Sequence, residues 1–475
     1  MAVGLEEFKR EFTKAVIEGY AAIFAGAGIS RASGYANWKE LLSVIAKDIG
    51  LDVDRETDLV AVAQYYKNEK GDRRDGINQR IINEFTRCAQ QNINIEILTR
   101  LPITSYWTTN YDELIEDNLK SNKRKPDIKA NQDSLANNIY DRDAVVYKMH
   151  GDVRNPSEAV ITKDDYETYN QKRPLFTTAL QGDLISKTFL FIGFSFEDPN
   201  LEYILSRIKV LLGENTRTHY CFLKKVILAD FSNEDEYKYA AIKQELKVND
   251  LRRYGIEAVI LDSYDQITKI LADIEENYRI NNIFISGSAA EYGDGWQEAD
   301  AIGFMHNLSR RLVVENYRVI SGFGLGVGSV IINGALEEIM TSKFKHVEEH
   351  LCLRPFPQIQ SGTKLLSDSW EEYRQEMIDN CGIAIFIFGN KTTEAGITNA
   401  NGMIREFEIA QDKKKYIIPI GSTGYATKEI WSKVKGNLES YPYLTKYIDL
   451  LEVETDVNKL LDLVIAIIKE IRGDL

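Results

Sequence analysis

Cysteine is scarce: the 475 residues include only Cys88, Cys221, Cys352 and Cys381, far apart and without a CxxC pair. That spacing indicates neither a zinc knuckle nor a disulfide framework, and reduced cytosolic thiols are the simplest reading. Proline is also rare, nine residues against 31 glycines, which excludes a fibrous composition. A basic surplus is missing, since 58 Lys and Arg stand against 72 Asp and Glu for a formal charge of −14. Proteins that live on phosphate neutralisation carry the opposite balance, so nucleic acid is not an expected partner. The greasiest stretch, KTFLFIGFSF, is far shorter than a bilayer span, and the N-terminal MAVGLEEFKREF has no apolar signal core. No solenoid repeat and no Pro, Ser or Gln tract interrupts the chain. The expectation is a cytoplasmic protein with no membrane partner, and 44% hydrophobic residues suffice for the cores of several domains.

What the sequence does have is alternation. Short β-branched or aromatic runs are separated by longer helical patterns, which is how parallel-sheet α/β domains read. The first series places strands at Ala21–Ala25, Ser105–Thr108, Ala144–Lys148, Phe189–Gly193, Tyr220–Leu223 and Ala258–Leu261. The second places them at Asn282–Ser286, Arg318–Ser321, Leu351–Arg354, Ile383–Phe388 and Tyr416–Ile420. The predicted fold is two Rossmann-like parallel-sheet α/β domains, 1–280 and 281–475. Two charged stretches, Glu113–Asp143 and Asn233–Asp250, read as solvated insertions into the first.

In the first domain the strand Ala21–Ala25 runs straight into Gly26, Ala27, Gly28 and Ser30. Small residues there let backbone N–H groups approach a pyrophosphate at a helix N-terminus, although a lone GxGxS is more often a tight turn. Three more polar clusters follow predicted strands: Thr108–Asp112 (TTNYD), His150-Gly151-Asp152, and Gly193–Pro199 (GFSFEDP). Taken singly, Asn110 and Asp112 suit an Asx turn or helix cap, and His150 a capped or surface residue. Together and in this order, the clusters resemble the NAD-binding domain of sirtuins, over roughly residues 8–277. The resemblance implies that Ala25, Gly26, Ala27 and Ser30 cradle the NAD phosphates and that Gly193 and Ser195 line the adenosine side. It puts Asn110 and Asp112 beside the nicotinamide and its ribose, with His150 facing the ribose hydroxyls. Cleaving the nicotinamide–ribose bond passes through an oxocarbenium-like state, for which an amide can position water and a near-neutral base can polarise a hydroxyl.

The departures from sirtuins bear on the reaction. The four-cysteine zinc module of protein-deacylating members is missing, so neither zinc nor another metal is expected. Gly34–Lys39 reads GYANWK where the family reads GIPDFR, and Thr109 replaces the usual glutamine. A site that keeps the NAD-cleaving residues without the acyl-lysine cleft is suited to passing the ribose to water. The expected activity is NAD hydrolysis, with NAD as substrate and no further cofactor; a protein deacylase and a non-catalytic nucleotide-binding scaffold are the alternatives.

In the second domain, Ser286, Gly287 and Ser288 end one predicted strand. A second strand leads into Gly322, Gly324, Gly326, Gly328 and Ser329, a glycine run placed between strand and helix as a phosphate cradle requires. Arg374 can fork onto a phosphate, Lys391 adds a point charge, and Glu406 can accept from ribose hydroxyls. This arrangement resembles the SLOG family of nucleotide-binding domains, without the PGGxGTxxE motif of its lysine-decarboxylase-like members. A zinc-free sirtuin domain followed by a SLOG domain resembles the NAD-depleting effectors of Thoeris anti-phage defence. The resemblance implies an activator, a cyclic ADP-ribose isomer made by a TIR-domain partner and bound by those SLOG residues. It also implies a homo-oligomer, a tetramer or larger.

Overall fold

The computed structural model describes residues 2–473 except 195, 197–200, 203, 204, 207, 208, 211–216, 294, 361 and 395. The chain divides into two compact units, Met1–Glu275 and Glu276–Leu475. The first is built on seven parallel strands: β1 Ala21–Ala25, β2 Ser105–Thr108, β3 Pro126–Lys129, β4 Ala144–Lys148, β5 Thr188–Ile192, β6 His219–Lys224 and β7 Ile256–Leu261. Their order is β3-β4-β2-β1-β5-β6-β7. Every residue of β1 and β5 is buried, as expected of central strands covered on both faces. One cover is the helix Leu5–Ile17, whose Phe8, Phe12, Ala15 and Val16 recur at helical spacing and are buried. The order reverses between β1 and β5, so the loops after these strands diverge at the carboxyl edge, where open α/β sheets bind ligands.

The stretch Glu113–Asp143 is not the insertion expected from its charge. It supplies the helix Leu114–Ser121 and then β3, which pairs in parallel with β4 at the sheet's edge. Its sequence, PDIK, hides the strand because the residues facing inward are ionic: Asp127 and Lys129, both 2% exposed, pair at 2.9 Å. The opening proline is tolerated at a strand's first position on an edge. Asn233–Asp250, by contrast, forms the helix Glu234–Arg253, in which Val248 and Leu251 alone are buried among the described residues, and so reads correctly as solvated.

The second unit has five parallel strands, β8 Asn282–Ser288, β9 Arg318–Ser321, β10 Leu351–Leu353, β11 Ile383–Phe388 and, after a hairpin of β12 Asn390–Thr393 with β13 Gly396–Asn399, β14 Tyr416–Pro419. The order β10-β9-β8-β11-β14 reverses between β8 and β11. The helix Val457–Arg472 packs Leu460, Leu461, Val464, Ile465, Ile467 and Ile468 inward; Asp456 caps its start and Gly473, at φ +73°, ends it. No helix among the described residues is long and apolar enough to cross a membrane.

Candidate functional site

The loops after β1, β2, β4 and β5 converge on one edge of the first sheet. Gly26 and Gly28 are glycines because β5 runs into their turn: a Cβ would lie 2.4 Å from the Gly193 carbonyl oxygen at the first and 2.9 Å from Gly193 Cα at the second. Gly193 itself sits at φ +64°, where a Cβ would lie 2.2 Å from the Ile29 nitrogen. The Gly26 and Gly28 amides donate to the carbonyls of Ile192 and Gly193 at 2.9 and 2.8 Å, so in this arrangement they are turned to the neighbouring strand. Ala25 is buried as the last residue of β1 and Ala27 starts the short helix Ala27–Arg31. Ser195 lies outside the described residues.

From β2 the Thr108 hydroxyl donates to Ala25 O at 2.9 Å and accepts from the Asn110 amide N–H at 3.0 Å, which anchors the asparagine over the β1 turn. Asn110 Nδ2 donates to Gly26 O at 3.0 Å and to Ser30 Oγ at 2.8 Å. Ser30 Oγ donates in turn to Asp112 Oδ2 at 2.7 Å. Asp112 Oδ1 accepts from Leu114 N at 3.1 Å, capping the next helix. The structure therefore gathers Ser30, Asn110 and Asp112 into one buried chain of hydrogen bonds.

His150 stands two residues past β4, as Asn110 stands two past β2, and these strands pair in parallel with Thr108 opposite Lys148. The loops are stitched by Met149 N to Thr108 O at 2.9 Å and Val153 N to Tyr111 O at 3.0 Å. His150 is only 1% exposed, with Tyr166 and Tyr169 edge-on at 5.5 and 6.3 Å. A cavity of about 400 Å³ in the same unit, lined in part by Arg74, Lys172 and Arg173, includes Val160 and Tyr169 in its wall but neither Asn110 nor His150. Its volume alone does not make it the reaction site, because the residues suited to NAD chemistry lie elsewhere.

Lys148 and Glu116 were not among the residues singled out from the sequence, and Asp152 was noted only as part of the cluster after β4. The Lys148 ammonium, wholly buried, lies 2.9 Å from Glu116 Oε1 and 3.0 Å from Asp152 Oδ2. It also donates to the carbonyls of Tyr111 and Asp112. Burial disfavours the ammonium, but Glu116, Asp152 and Asp112 outweigh it and hold its pKa above the ordinary lysine value. One cation cannot offset the burial of several carboxylates, so burial pushes Asp112 and Glu116 above the usual carboxylate range, against the pull of Lys148. The available signal was a lysine closing an apolar strand two residues before the histidine and four before Asp152, in the string KMHGD.

The residues replacing the sirtuin loop are structural. Asn37 caps the helix Trp38–Asp48 and forms a reciprocal capping box with Glu40, while Lys39 pairs with Asp54 at the surface. Glu84 and Arg87 hold this segment through Ala36 N and Gly34 O, at 2.7 Å each.

In the second unit a cavity of about 130 Å³ is lined by Ser286, Gly287, Ser288, Gly322, Gly324 and Glu406, together with Phe356, Ala400, Gly402 and Met403. Ser286 Oγ donates to Glu406 Oε2 at 2.6 Å, and Arg374 Nε lies 3.4 Å from Oε1 with its guanidinium over the Phe356 ring. Gly402 lies beside it, where an added Cβ would come within 2.9 Å of the guanidinium and displace it. Gly324 and Gly326 bring the glycine loop against the Gly287 and Ala289 carbonyls, with virtual Cβ distances of 1.9 and 2.0 Å. Gly326 continues that loop, Gly328 and Ser329 open the helix Gly328–Thr341, all three outside the lining, and Lys391 stands exposed on β12. Asn390, wholly buried, was overlooked: its Oδ1 accepts from Ala290 N and Glu291 N at 2.8 and 3.1 Å, and its backbone carbonyl accepts from Ser288 Oγ at 3.0 Å. An asparagine directly after Phe388-Gly389 at a strand end was the signal.

Fold and sequence together define a SIR2-like α/β unit followed by a SLOG unit: residues 104–246 match the SIR2-like domain and residues 266–471 the Sir2- and TIR-associating SLOG family. The similarity extends along the chain. A Bacillus cereus (strain MSX-D12) protein named NAD(+) hydrolase ThsA is 47% identical over 437 residues, 92% of this chain and 91% of its own. Proteins of the same name from Cytobacillus dafuensis and Enterococcus faecium are 46% and 41% identical, covering 93% and 98% of this chain and 90% and 98% of theirs. The chain belongs to the ThsA family.

Proposed function

We propose that the first unit hydrolyses NAD to nicotinamide and ADP-ribose, with Asn110 orienting the attacking water and His150 polarising a ribose hydroxyl. The observation that carries this reading is the buried Ser30–Asn110–Asp112 chain, set on the strand next to the one that delivers His150. The name borne by its relatives, NAD(+) hydrolase, supports the same reaction. Ala25, Gly26, Ala27, Ser30, Gly193 and Ser195 would hold the dinucleotide. A ribose reaches His150 only if the segment bearing Tyr166 and Tyr169 moves, because the ring is buried as it stands, and the Gly26 and Gly28 amides must likewise turn from β5 before they can meet a phosphate. Such a site rests closed. Its opening is the task of an activator, a cyclic ADP-ribose isomer supplied by a TIR-domain partner and held in the second unit around Ser286, Arg374 and Glu406. The protein acts as a cytoplasmic homo-oligomer that depletes NAD during infection.

Purified protein is incubated with NAD, with and without a panel of cyclic ADP-ribose isomers, and nicotinamide and ADP-ribose are followed by chromatography. Both products are expected when one isomer is added, without any acylated peptide, and Asn110→Ala and His150→Ala should remain folded yet inactive. Undiminished turnover in those variants would remove the mechanism; intact NAD despite a bound isomer would favour a nucleotide-binding scaffold.

A further inference from the structure

The Asn110 side chain has one chemically sensible orientation. Gly26 O can only accept, so Nδ2 must face it at 3.0 Å, and Oδ1 is left with no hydrogen bond from any described residue. Both Nδ2 protons are then committed, the second to Ser30 Oγ at 2.8 Å. Ser30 can receive that proton in good geometry while giving its own to Asp112 Oδ2 at 2.7 Å. Were Asp112 protonated on that oxygen, it would donate to Ser30 Oγ, and the serine proton would lose the carboxylate partner that fixes its direction, so the Ser30 acceptor that holds Nδ2 would no longer be anchored. The proton balance of Asp112 thus sets whether the Ser30 hydroxyl is anchored, and with it how firmly Asn110 is held with Oδ1 free.

We infer that Lys148 is a positioning residue for Asn110: its buried ammonium keeps the Asp112 carboxylate an acceptor and, through Ser30, holds the amide with Oδ1 toward the substrate. This inference rests on the proposed NAD hydrolysis and names a residue on which it depends. Lys148 ties the two catalytic loops together, since it donates to Tyr111 O at 3.3 Å and to Asp112 O on the asparagine side, and reaches Asp152 Oδ2 at 3.0 Å on the histidine side. Glu116, from the following helix, completes its shell at 2.9 Å. The charged groups facing Asp112 from the elements packed around it are therefore Lys148, Glu116 and Asp152. Burial already pushes the Asp112 carboxyl upward, and Lys148 is the chief influence opposing it. Removing the ammonium leaves the hydrogen bonds from Ser30 and Leu114 as the chief groups that still favour the carboxylate, against burial.

The test uses the full chain with activating ligand. Lys148→Met alone takes the compensating charge from three buried carboxylates, Glu116, Asp152 and Asp112, and is at risk of not folding, so the decisive variant is Lys148→Met/Glu116→Gln, which removes one buried pair together. It should fold and show kcat about tenfold lower at pH 7, with activity recovering as the pH rises because the acid limb has moved upward. The Michaelis constant for NAD should stay within about twofold, since the loss falls on water orientation rather than binding. Glu116→Gln alone, which keeps the ammonium, should retain the wild-type acid limb or lower it. A folded double variant with wild-type kcat and an unmoved acid limb overturns the inference, as does a loss of kcat equal at every pH. A wild-type enzyme that spares NAD under all conditions defeats the proposed function instead. The Asp112 carboxyl carbon resonance, titrated in both proteins without substrate, then still decides: an upward displacement in the double variant supports the inference and coincident titrations overturn it.

Discussion

Glu406 receives a hydrogen bond from Ser286 at 2.6 Å and faces Arg374 at 3.4 Å, yet burial outweighs both and its pKa lies above the ordinary 4.5. The sign of the consequence follows from linkage. In the unfolded chain Glu406 has released its proton by the time the pH passes about 4.5, whereas the folded chain still binds it, so the stability it contributes falls as the pH rises through the folded value. Glu406→Gln cannot titrate. Urea unfolding of both proteins across a pH series should therefore show a level difference below about 4.5, a drift in favour of the variant between there and the folded value, and a level difference again above it. Since Asp112 and Glu116 are displaced in the same direction in both proteins, the difference isolates Glu406. A pH-independent difference would show that it titrates as an exposed glutamate does.

Among the elements, those legible in the sequence share one property. The predicted spans of β1, β2, β4, β9 and β11 coincide with the observed ones because these strands present apolar side chains in short runs bounded by Gly, Asn, Asp or His. Strands whose inward residues are polar left no such trace: β3 buries Asp127 and Lys129 as an ion pair, and the hairpin of β12 and β13 reads NKTT and GITN. The same logic governs the sites. Ser30, Asn110 and Asp112 were readable because each follows a recognisable strand; Lys148 was not, because a lysine inside a predicted buried strand has no periodicity to betray its partners, which lie at Glu116 and Asp152. Lys391, expected as a ligand contact, stands on β12, outside the cavity lining. The hairpin begins at Asn390, which also donates to Glu291 O at 2.9 Å and so pins the loop after β8 by three bonds to its backbone. Asn390→Ala should cost about 1–2 kcal/mol in urea unfolding of the second unit, because these polar groups are only partly reachable by water. It should also weaken isomer binding by loosening Ser288; a variant with wild-type stability would mean that the loop is held elsewhere.

At the scale of the whole molecule, the two sites lie in separate compact units, each at the point where its own strand order reverses. A regulated hydrolase built this way must obey reciprocity: whatever factor the isomer contributes to NAD affinity, NAD contributes to isomer affinity. An activator of the kind proposed could open the first unit only by as much as it prefers the open state over the closed one, so a gate that shifts from about 1:99 to 99:1 would require a preference of about 10⁴-fold. Calorimetric titration of the isomer, alone and with a non-hydrolysable NAD analogue saturating the first unit, measures this directly. The analogue should tighten isomer binding in the wild type, and the isomer should tighten analogue binding by an equal factor. In Arg374→Ala, which removes the cation beside Glu406, isomer affinity and activation should fall together. Isomer binding that is indifferent to the analogue would leave two nucleotide sites on one chain with no free energy passing between them, and the activator would then have to work through assembly of several chains rather than through affinity for NAD.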